Sequence, residues 1–256
     1  MIWRITIEPD QISSEPMGSD AKRLLITLRS DQRHYLRRVL RLGEGDRFLA
    51  QDGKGQQWLA VILPLLERAE VIESIKVDVV SSPSLRLIAA LPKGNSFDQV
   101  VRQTTELGVS HIYPVISDRT LLRPKGNKLE RWRRIATEAS EQSERLITPE
   151  IAPPISFQQL FQQENWEGLC YICATRQNAA HLLFEVQKAL SLEEDHENLP
   201  SVNLMIGPEG GWTSEEITVA IQHGYKVVSL GSAILRATTA SITALSLVTA
   251  ARELLI

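Results

Sequence analysis

From Pro83 onward the chain alternates short apolar runs with longer amphipathic segments, and this alternation constrains the fold more than any other feature of the sequence. The apolar runs predict buried strands at Leu87–Leu91, His111–Ile116, Leu169–Ala174, Val202–Ile206 and Val227–Leu230. Apolar residues at helical spacing predict helices at Ser96–Leu107, Asn127–Leu146, Thr213–His223 and Ser241–Leu254. Strands that alternate with helices form a parallel sheet covered on both faces. The sequence therefore predicts an α/β domain over residues 83–256.

The first eighty residues have a different pattern, which is typical of β structure. Candidate strands are Arg23–Leu28, Asp46–Gln51, Gln57–Leu63 and Ile75–Val80. The glycines of Asp52–Gly55 suit a hairpin turn, and Asp31–Leu42 has apolar residues at helical spacing with arginines on its other face. Ser81–Ser84 surrounds a proline with small polar residues, as linkers do. We therefore predict a small β-barrel with one basic helix over residues 1–82.

Charge is segregated along the chain although the net charge is only −3. Basic residues outnumber acids in Lys22–Arg47 and in Arg119–Arg145, and acids dominate Glu185–Glu216. Clustered basic charge can bind phosphate when the total charge is near zero; the alternative is two solvated helix faces.

The remaining composition narrows the class of protein. No run is long and apolar enough for a membrane span and the start does not resemble a signal peptide, so we expect a cytoplasmic protein. Cys170 and Cys173 are the only two cysteines. They lie in a predicted strand, where positions i and i+3 face opposite sides, and no second pair completes a zinc site. The histidines have no ligand spacing, so we predict no metal.

Two glycine-bearing loops follow predicted strands within a short stretch of sequence. Gly207–Gly211 follows the strand Val202–Ile206, and Gly231 ends the strand Val227–Leu230. Open α/β sheets bind ligands at the carboxyl ends of their strands, so the two loops are expected to build one pocket. Neither is a Walker A loop or a Gly-x-Gly-x-x-Gly motif, which disfavours nucleotide-dependent enzymes. A single glycine loop could instead be a structural turn.

Several spaced motifs in this order resemble the RsmE family of the SPOUT class of methyltransferases. The two glycine loops are Ile206-Gly-Pro-Glu-Gly-Gly211 and Leu230-Gly-Ser-Ala-Ile-Leu-Arg236. In the middle of the chain come Leu91-Pro-Lys-Gly94, Thr105-Glu-Leu-Gly-Val109 and Glu138-Ala-Ser-Glu-Gln-Ser143. Near the start, the segment from His34 to Asp46 is similar to the family's PUA-like RNA-binding domain. The resemblance runs from about Asp31 to Leu247.

The resemblance implies a PUA-like β-barrel followed by an α/β trefoil-knot methyltransferase domain and a homodimer. It implies S-adenosylmethionine as the cofactor and a uridine of 16S ribosomal RNA, methylated on N3, as the substrate. The cofactor-binding residues implied are Thr175, Ile206, Gly207, Pro208, Glu209, Gly210, Gly211, Leu230, Gly231, Ile234, Leu235 and Arg236.

The chemistry of the reaction suggests roles for charged residues. Attack by N3 of uracil requires loss of its proton, and the negative charge spreads onto O2 and O4. Arg236 is the candidate for stabilising that charge, and Glu209 for orienting Arg236 or accepting the proton. Arginines and lysines that suit phosphate contacts give the RNA-binding candidates Arg33, Arg37, Arg38, Arg41, Lys93, Arg102 and Arg145.

The chain departs from the family pattern at four positions. Arginine is usual at Ala233, glutamate at Thr238, glycine at Glu144 and lysine at Gln103. Two alternatives stay open at this point: a SPOUT enzyme with another RNA target, such as ribose 2′-O, and a non-catalytic RNA-binding or ribosome-assembly protein with the same fold.

Overall fold

The chain folds into two compact units. The computed structural model describes residues 2–17, 21–76, 83–120, 126–163, 166–174, 178–192 and 199–254. The first unit comprises Met1–Val80 and Ser140–Thr148, and the second comprises Ser81–Ala139 and Pro149–Ile256. The expected linker Ser81–Ser84 lies in part outside the described residues.

The first unit is a mixed six-stranded sheet around its own apolar core. Its strands are β1 (Arg4–Thr6), β2 (Ile12–Met17), β3 (Ala21–Thr27), β4 (Arg47–Gln51), β5 (Gln57–Ile62) and β6 (Arg68–Ile75). They are ordered β1-β4-β5-β6-β3-β2, with β1 parallel to β4 and the other pairs antiparallel. Ile26, Phe48 and Ala60 are fully buried in the core. These three side chains lie on β3, β4 and β5. The structure has strands at all three of these predicted positions, so the predictions for them are confirmed.

The predicted strand Ile75–Val80 overlaps the described strand β6 only at Ile75, where β6 ends. Residues 77–80 lie outside the described residues. Most side chains of β6 are partly or fully exposed, and Ala69 is its only buried residue. The strand therefore lacks the apolar alternation that marks a half-buried strand. β1 and β2 were not predicted because β1 is very short and β2 is largely polar.

The predicted helix Asp31–Leu42 is shorter and less regular than expected. A regular helix, α1 (Ser30–His34), passes into a π-helical turn over Tyr35–Val39, closed by the hydrogen bond from Leu40 N to Tyr35 O. Arg41 adopts a positive φ of 57° and ends the helix, since only single residues visit this region. Arg37 and Arg38 on this turn, and Arg41 just after it, are exposed.

A short segment from the middle of the chain completes the first unit. Thr6 N donates to Glu141 Oε1 at 2.6 Å, and Gln51 Nε2 donates to Arg145 O at 3.2 Å. The predicted turn at Asp52–Gly55 joins β4 to β5, and Thr148 N donates to Gly53 O within it at 2.9 Å. These bonds hold residues 140–148 against β1 and the β4–β5 turn.

The second unit is built on a parallel sheet of seven strands. They are β7 (Leu85–Ala90), β8 (His111–Ile116), β9 (Glu150–Ile151), β10 (Ile155–Ser156), β11 (Leu169–Cys173), β12 (Val202–Ile206) and β13 (Lys226–Val228). Their order is β10-β8-β7-β12-β11-β13, with β9 beside β8. Every ladder in this sheet is parallel. The predicted strands and their parallel arrangement are confirmed.

Helices cover both faces of this sheet. They are α2 (Ser96–Glu106), α3 (Lys128–Gln142), α4 (Phe157–Gln163), α5 (Leu182–Leu190), α6 (Ser214–Gln222) and α7 (Ala237–Glu253). Side chains of α2, α3, α5 and α7 pack on one face, and those of α4 and α6 on the other. The predicted α/β fold class is confirmed, although α4 and α5 were not predicted. Whether the chain passes through a knot remains a prediction.

Within the described ranges, no helix is long and apolar enough to cross a membrane.

Candidate active site

The two glycine-bearing loops meet at one cavity. β12, β11 and β13 are adjacent and parallel, so their carboxyl ends lie along the same edge of the sheet. Residues 207–212 of the loop after β12 and residues 229–235 of the loop after β13 line a cavity of about 820 Å³. Cys173 and Ala174, at the end of β11, also line it. The expectation that Gly207 and Gly231 border a shared pocket is confirmed.

Backbone geometry explains why glycine occupies both positions. A Cβ on Gly207 would lie 3.2 Å from Trp212 N and 3.3 Å from Gly211 C, so a side chain would crowd the turn. Gly231 has a φ of +120°, which residues with a Cβ rarely adopt. The turn it occupies is fixed by Ser229, whose Oγ accepts from Gly231 N at 3.1 Å. Both loops can therefore bring backbone N–H and C=O groups close to a ligand.

Two hydrogen bonds from neighbouring segments hold the glycine loop that follows β12, and each involves one charged side chain. Glu209 accepts a hydrogen bond through Oε1 from Lys93 N at 2.9 Å. Arg119 follows β8 and donates from Nη1 to Gly210 O at 2.6 Å. Both Glu209 and Arg119 line the cavity, and they are the only charged residues among the described side chains that do so. The cavity thus presents one carboxylate and one guanidinium.

Arg236 begins α7 and lies beside the cavity without being part of its lining. Its neighbours Leu235 and Ala237 line the cavity. Its backbone carbonyl accepts from Ala240 N at 2.8 Å, and its side chain is exposed. Among the described residues the guanidinium makes no hydrogen bond or ion pair, and it is not paired with Glu209. The expectation that Glu209 orients Arg236 therefore has no support in a direct contact.

The two cysteines lie on opposite faces of β11, as their spacing requires. Cys170 belongs to the core cluster on one face, and Cys173 packs against the cluster on the other. Burial raises the pKa of the Cys173 thiol to about 12. A thiol with this pKa is protonated at neutral pH and is a poor nucleophile and metal ligand. Within the described ranges no three His, Cys, Asp or Glu residues are grouped as a metal site.

Trp212, beside the first glycine loop, is a core residue. Its side chain is buried, and its ring centroid lies 5.5 Å from that of Phe157 on α4. This packing joins the end of the first loop to the body of the second unit.

Most of the predicted cofactor-binding residues line the cavity. Those that do are Ile206, Gly207, Pro208, Glu209, Gly210, Gly211, Leu230, Gly231, Ile234 and Leu235. Thr175 lies outside the described residues. Sequence reasoning missed Arg119, Cys173 and Ser229 as lining residues. The first two also stand at or just after the carboxyl end of a strand, so the rule that identified the glycine loops could have found them.

The predicted RNA-binding residues occur in both units. In the first unit, Arg33 Nη1 lies 3.7 Å from Glu67 Oε1. Arg37, Arg38 and Arg41 are exposed and have no ion-pair partner in the part of the chain that the structure describes. Arg145 is partly buried, and burial lowers the pKa of its guanidinium. In the second unit, Lys93 and Arg102 are exposed.

Family models match both parts of the chain. An RNA methyltransferase domain matches residues 80–249, and an RNA methyltransferase PUA domain matches residues 28–67. A curated relative, ribosomal RNA small subunit methyltransferase E of Synechocystis sp., is 40% identical over 99% of this chain and 79% of its own length. The protein of the same name in Bacillus subtilis is 28% identical over 90% of this chain and 91% of its own.

Solved structures agree with these sequence matches. Ribosomal RNA small subunit methyltransferase E of Neisseria gonorrhoeae, bound to S-adenosylmethionine, aligns over 96% of this chain and 95% of its own. The TM-score is 0.77 and the identity 28%. A methyltransferase of Legionella pneumophila in complex with S-adenosylmethionine aligns over 98% of both chains, with a TM-score of 0.81 and 27% identity.

Proposed function

Because the chain belongs to the RNA methyltransferase family that includes ribosomal RNA small subunit methyltransferase E, we propose that it methylates N3 of a uridine in 16S ribosomal RNA. S-adenosylmethionine is the methyl donor. The family supports the coarser statement, methylation of small-subunit ribosomal RNA. The N3 position, the target uridine and the roles of individual residues are our proposals.

The cavity shared by the two glycine loops is the observation that carries this function. Its volume of about 820 Å³ is in the range of roughly 300–1,000 Å³ found for small-molecule sites. Apolar side chains of Ile206, Leu230 and Leu235 line it beside backbone polar groups of both loops. Arg119 and Glu209 supply one charge of each sign. Such a lining fits a nucleoside that carries a zwitterionic amino acid and a sulfonium.

We propose that the cofactor is held by the residues that the family resemblance implies. The two loops contribute Ile206–Gly211, Leu230, Gly231, Ile234 and Leu235, all of which line the cavity. Arg236, which lies beside the cavity without lining it, and Thr175, which lies outside the described residues, remain in the proposed set. When bound, the cofactor supplies a methyl group activated by positive sulfur.

The protein must then align the uracil and stabilise its anion. Once N3 has lost its proton, the electron pair left on nitrogen would form the new bond to the methyl carbon while the methyl–sulfur bond breaks and its electron pair stays on sulfur, which becomes neutral. Arg236 is our candidate for stabilising the negative charge on O2 and O4, because its guanidinium is exposed beside the cavity and has no partner among the described residues. Alignment of the reacting atoms supplies much of the remaining rate. Glu209 is the candidate proton acceptor, although Lys93 N already donates to one of its oxygens.

We propose that the active form is a homodimer. We also propose that RNA phosphates are contacted by the basic residues Arg33, Arg37, Arg38, Arg41, Lys93, Arg102 and Arg145. Phosphate contacts fix the position of RNA without reading its sequence, so they suit a substrate as large as the small subunit.

Methyl transfer to small ribosomal subunits tests the function. Subunits from a strain that lacks the modification are incubated with the protein and labelled S-adenosylmethionine, and the RNA is digested to nucleosides for mass spectrometry. We expect N3-methyluridine. A 2′-O-methylated nucleoside would retain the methyltransferase and overturn N3, whereas tight cofactor binding without transfer to any RNA would leave a non-catalytic RNA-binding protein.

Substitution of Arg236 tests its proposed catalytic role. Arg236→Ala should lower kcat by about 10²–10³-fold, as removal of one oxyanion donor does, while the Kd for S-adenosylmethionine changes little. Arg236→Lys keeps the charge but not the planar fork of the guanidinium, so its kcat should lie between those of the wild type and Arg236→Ala. An unchanged kcat in Arg236→Ala would remove this residue from the mechanism.

A further inference from the structure

A cation from a third strand-end loop holds the first glycine loop. Arg119 Nη1 donates to Gly210 O at 2.6 Å, and Trp212 O lies 3.4 Å from the same nitrogen. The stem of the side chain packs on the same loop, because a Cβ added to Gly210 would lie 3.2 Å from Arg119 Cδ. One side chain therefore contacts the loop through both its charge and its methylene groups.

A buried carboxylate fixes the backbone from which Arg119 projects. Glu216, on α6, is almost fully buried. Its Oε1 accepts from Asp118 N at 3.0 Å, and its Oε2 accepts from Thr213 N at 2.8 Å. The residue before Arg119 is thus tied to the residue that ends the glycine loop. This tie places the guanidinium within reach of the loop carbonyls.

We propose that Arg119 is a positioning residue that sets the shape of the cofactor loop at Gly207–Trp212. This inference rests on the proposed function, since it concerns the site to which that function assigns S-adenosylmethionine. Backbone groups bind a ligand well only if they are already oriented. Hydrogen bonds from a charged donor are roughly twice as strong as neutral ones, so one arginine can hold two carbonyls of an exposed loop.

The test compares Arg119→Ala and Arg119→Lys with the wild-type chain. Calorimetry should give an S-adenosylmethionine Kd raised by about tenfold or more in Arg119→Ala, as expected for loss of a charge-assisted bond. Arg119→Lys should be intermediate, because an ammonium lacks the planar fork. In methyl transfer, the KM for the cofactor should rise while the KM for small subunits is unchanged. Millimolar methylguanidinium should partly restore cofactor affinity to Arg119→Ala.

A double-mutant comparison separates positioning from loss of fold. Gly210→Ala should weaken cofactor binding in the presence of Arg119, whose side chain the new methyl group meets. It should weaken binding less in Arg119→Ala, where that side chain is absent, so the two effects are not additive. Arg134→Ala, which removes an exposed arginine paired with Glu138, is the matched charge control and should leave the Kd unchanged.

The outcomes distinguish this inference from the proposed function. If wild-type protein does not bind S-adenosylmethionine, the proposed function fails. If wild-type protein binds it and Arg119→Ala binds it equally well, only the positioning role fails. Additive effects of Gly210→Ala and Arg119→Ala, or no rescue by methylguanidinium, would also overturn that role.

Discussion

Glu144 adopts a left-handed backbone conformation at the position where the family resemblance implies glycine. Its φ is 62°, and Arg4 pairs with its carboxylate through two nitrogens at 2.8 and 2.9 Å. A residue with a Cβ loses about 1–2 kcal/mol in this conformation. The ion pair returns at most about 1 kcal/mol, because pairs with an exposed partner are weak. The departure from glycine is therefore a local strain that the contact with Arg4 only partly offsets.

Glycine at this position should relieve the strain. Glu144→Ala loses the ion pair and keeps the strained φ, so Glu144→Gly should be more stable than Glu144→Ala by about 1 kcal/mol. Urea unfolding measures the difference. The matched pair Gln142→Ala and Gln142→Gly, at the end of α3, should give the opposite order, because glycine destabilises a helix. If Glu144→Gly were instead less stable than Glu144→Ala, as expected for the pair at Gln142, Glu144 would not be strained.

Cys173 should make stability depend on pH in the alkaline range. Its folded pKa of about 12 lies above the ordinary 9.0, so the folded chain keeps a proton that the unfolded chain releases. This contribution is fully present below about pH 9 and is lost as the pH rises toward 12. Each proton released on unfolding lowers the stability by about 1.4 kcal/mol per pH unit.

The Cys173→Ser variant isolates this effect. It lacks the titrating thiol, so its unfolding free energy should fall less than that of the wild type between about pH 8 and pH 11. Tyr171 and Arg252, whose pKa values burial also shifts, are present in both proteins, so their contributions cancel in the comparison. Urea unfolding without cofactor at several pH values gives the two slopes. Parallel slopes would mean that the pKa of the Cys173 thiol is not raised in the folded chain.

At the scale of elements, burial decided which predictions were correct. β8 and β12 were predicted with their correct bounds, because both are largely buried apolar runs closed by polar or glycine residues. β6 was missed because its side chains are largely exposed, and β9 and β10 because two residues give no periodicity. α5 was missed although its apolar face packs in the core, because Leu182-Leu-Phe before Glu185 does not alternate with polar residues in an obvious helical pattern. Apolar patterning thus identifies elements whose apolar residues form an uninterrupted run or recur with a clear period.

The capping box of α6 is a local signal in the sequence that the structure reproduces. Thr213 Oγ1 accepts from Glu216 N at 3.1 Å, and Glu216 Oε2 accepts from Thr213 N at 2.8 Å. Thr213→Ala should cost about 1 kcal/mol in urea unfolding and increase hydrogen exchange at the Glu216 amide. Thr213→Ser keeps the oxygen and should stay close to the wild type. If both variants lost the same stability, the methyl group of Thr213 rather than its hydroxyl would be the important contact.

At the scale of the whole molecule, the sequence predicted the order of the two fold types but not the composition of the first unit. Residues 140–148 belong to that unit through backbone and side-chain hydrogen bonds to β1 and to the turn after β4. Periodicity describes neighbours along the chain, whereas these contacts join residues about 90–140 positions apart. The cofactor cavity was predictable because two loop motifs share one sheet edge. The contacts of Arg119 were not predictable, because which carbonyls a side chain contacts depends on tertiary packing, and local sequence patterns do not encode that packing.

Binding of the intact protein to small subunits should depend on salt through the exposed arginines of the first unit. Each arginine that contacts a phosphate releases counterions, which contributes about 0.7–0.9 to the slope of log K against log salt. Arg37→Ala, Arg38→Ala and Arg41→Ala combined should therefore lower the magnitude of that slope by about 2–3.

Filter binding over a series of salt concentrations measures this slope, and a control separates phosphate contact from total charge. Arg68→Ala removes an exposed arginine of the same unit that is already paired with Glu15 at 2.8 Å, so it should leave the slope close to that of the wild type. The Kd for S-adenosylmethionine should be unchanged in the triple variant, because its three positions lie in the first unit and the cofactor cavity is lined by residues of the second. An unaltered slope in the triple variant would mean that the basic turn after α1 is a solvated surface and that the RNA phosphates are bound elsewhere.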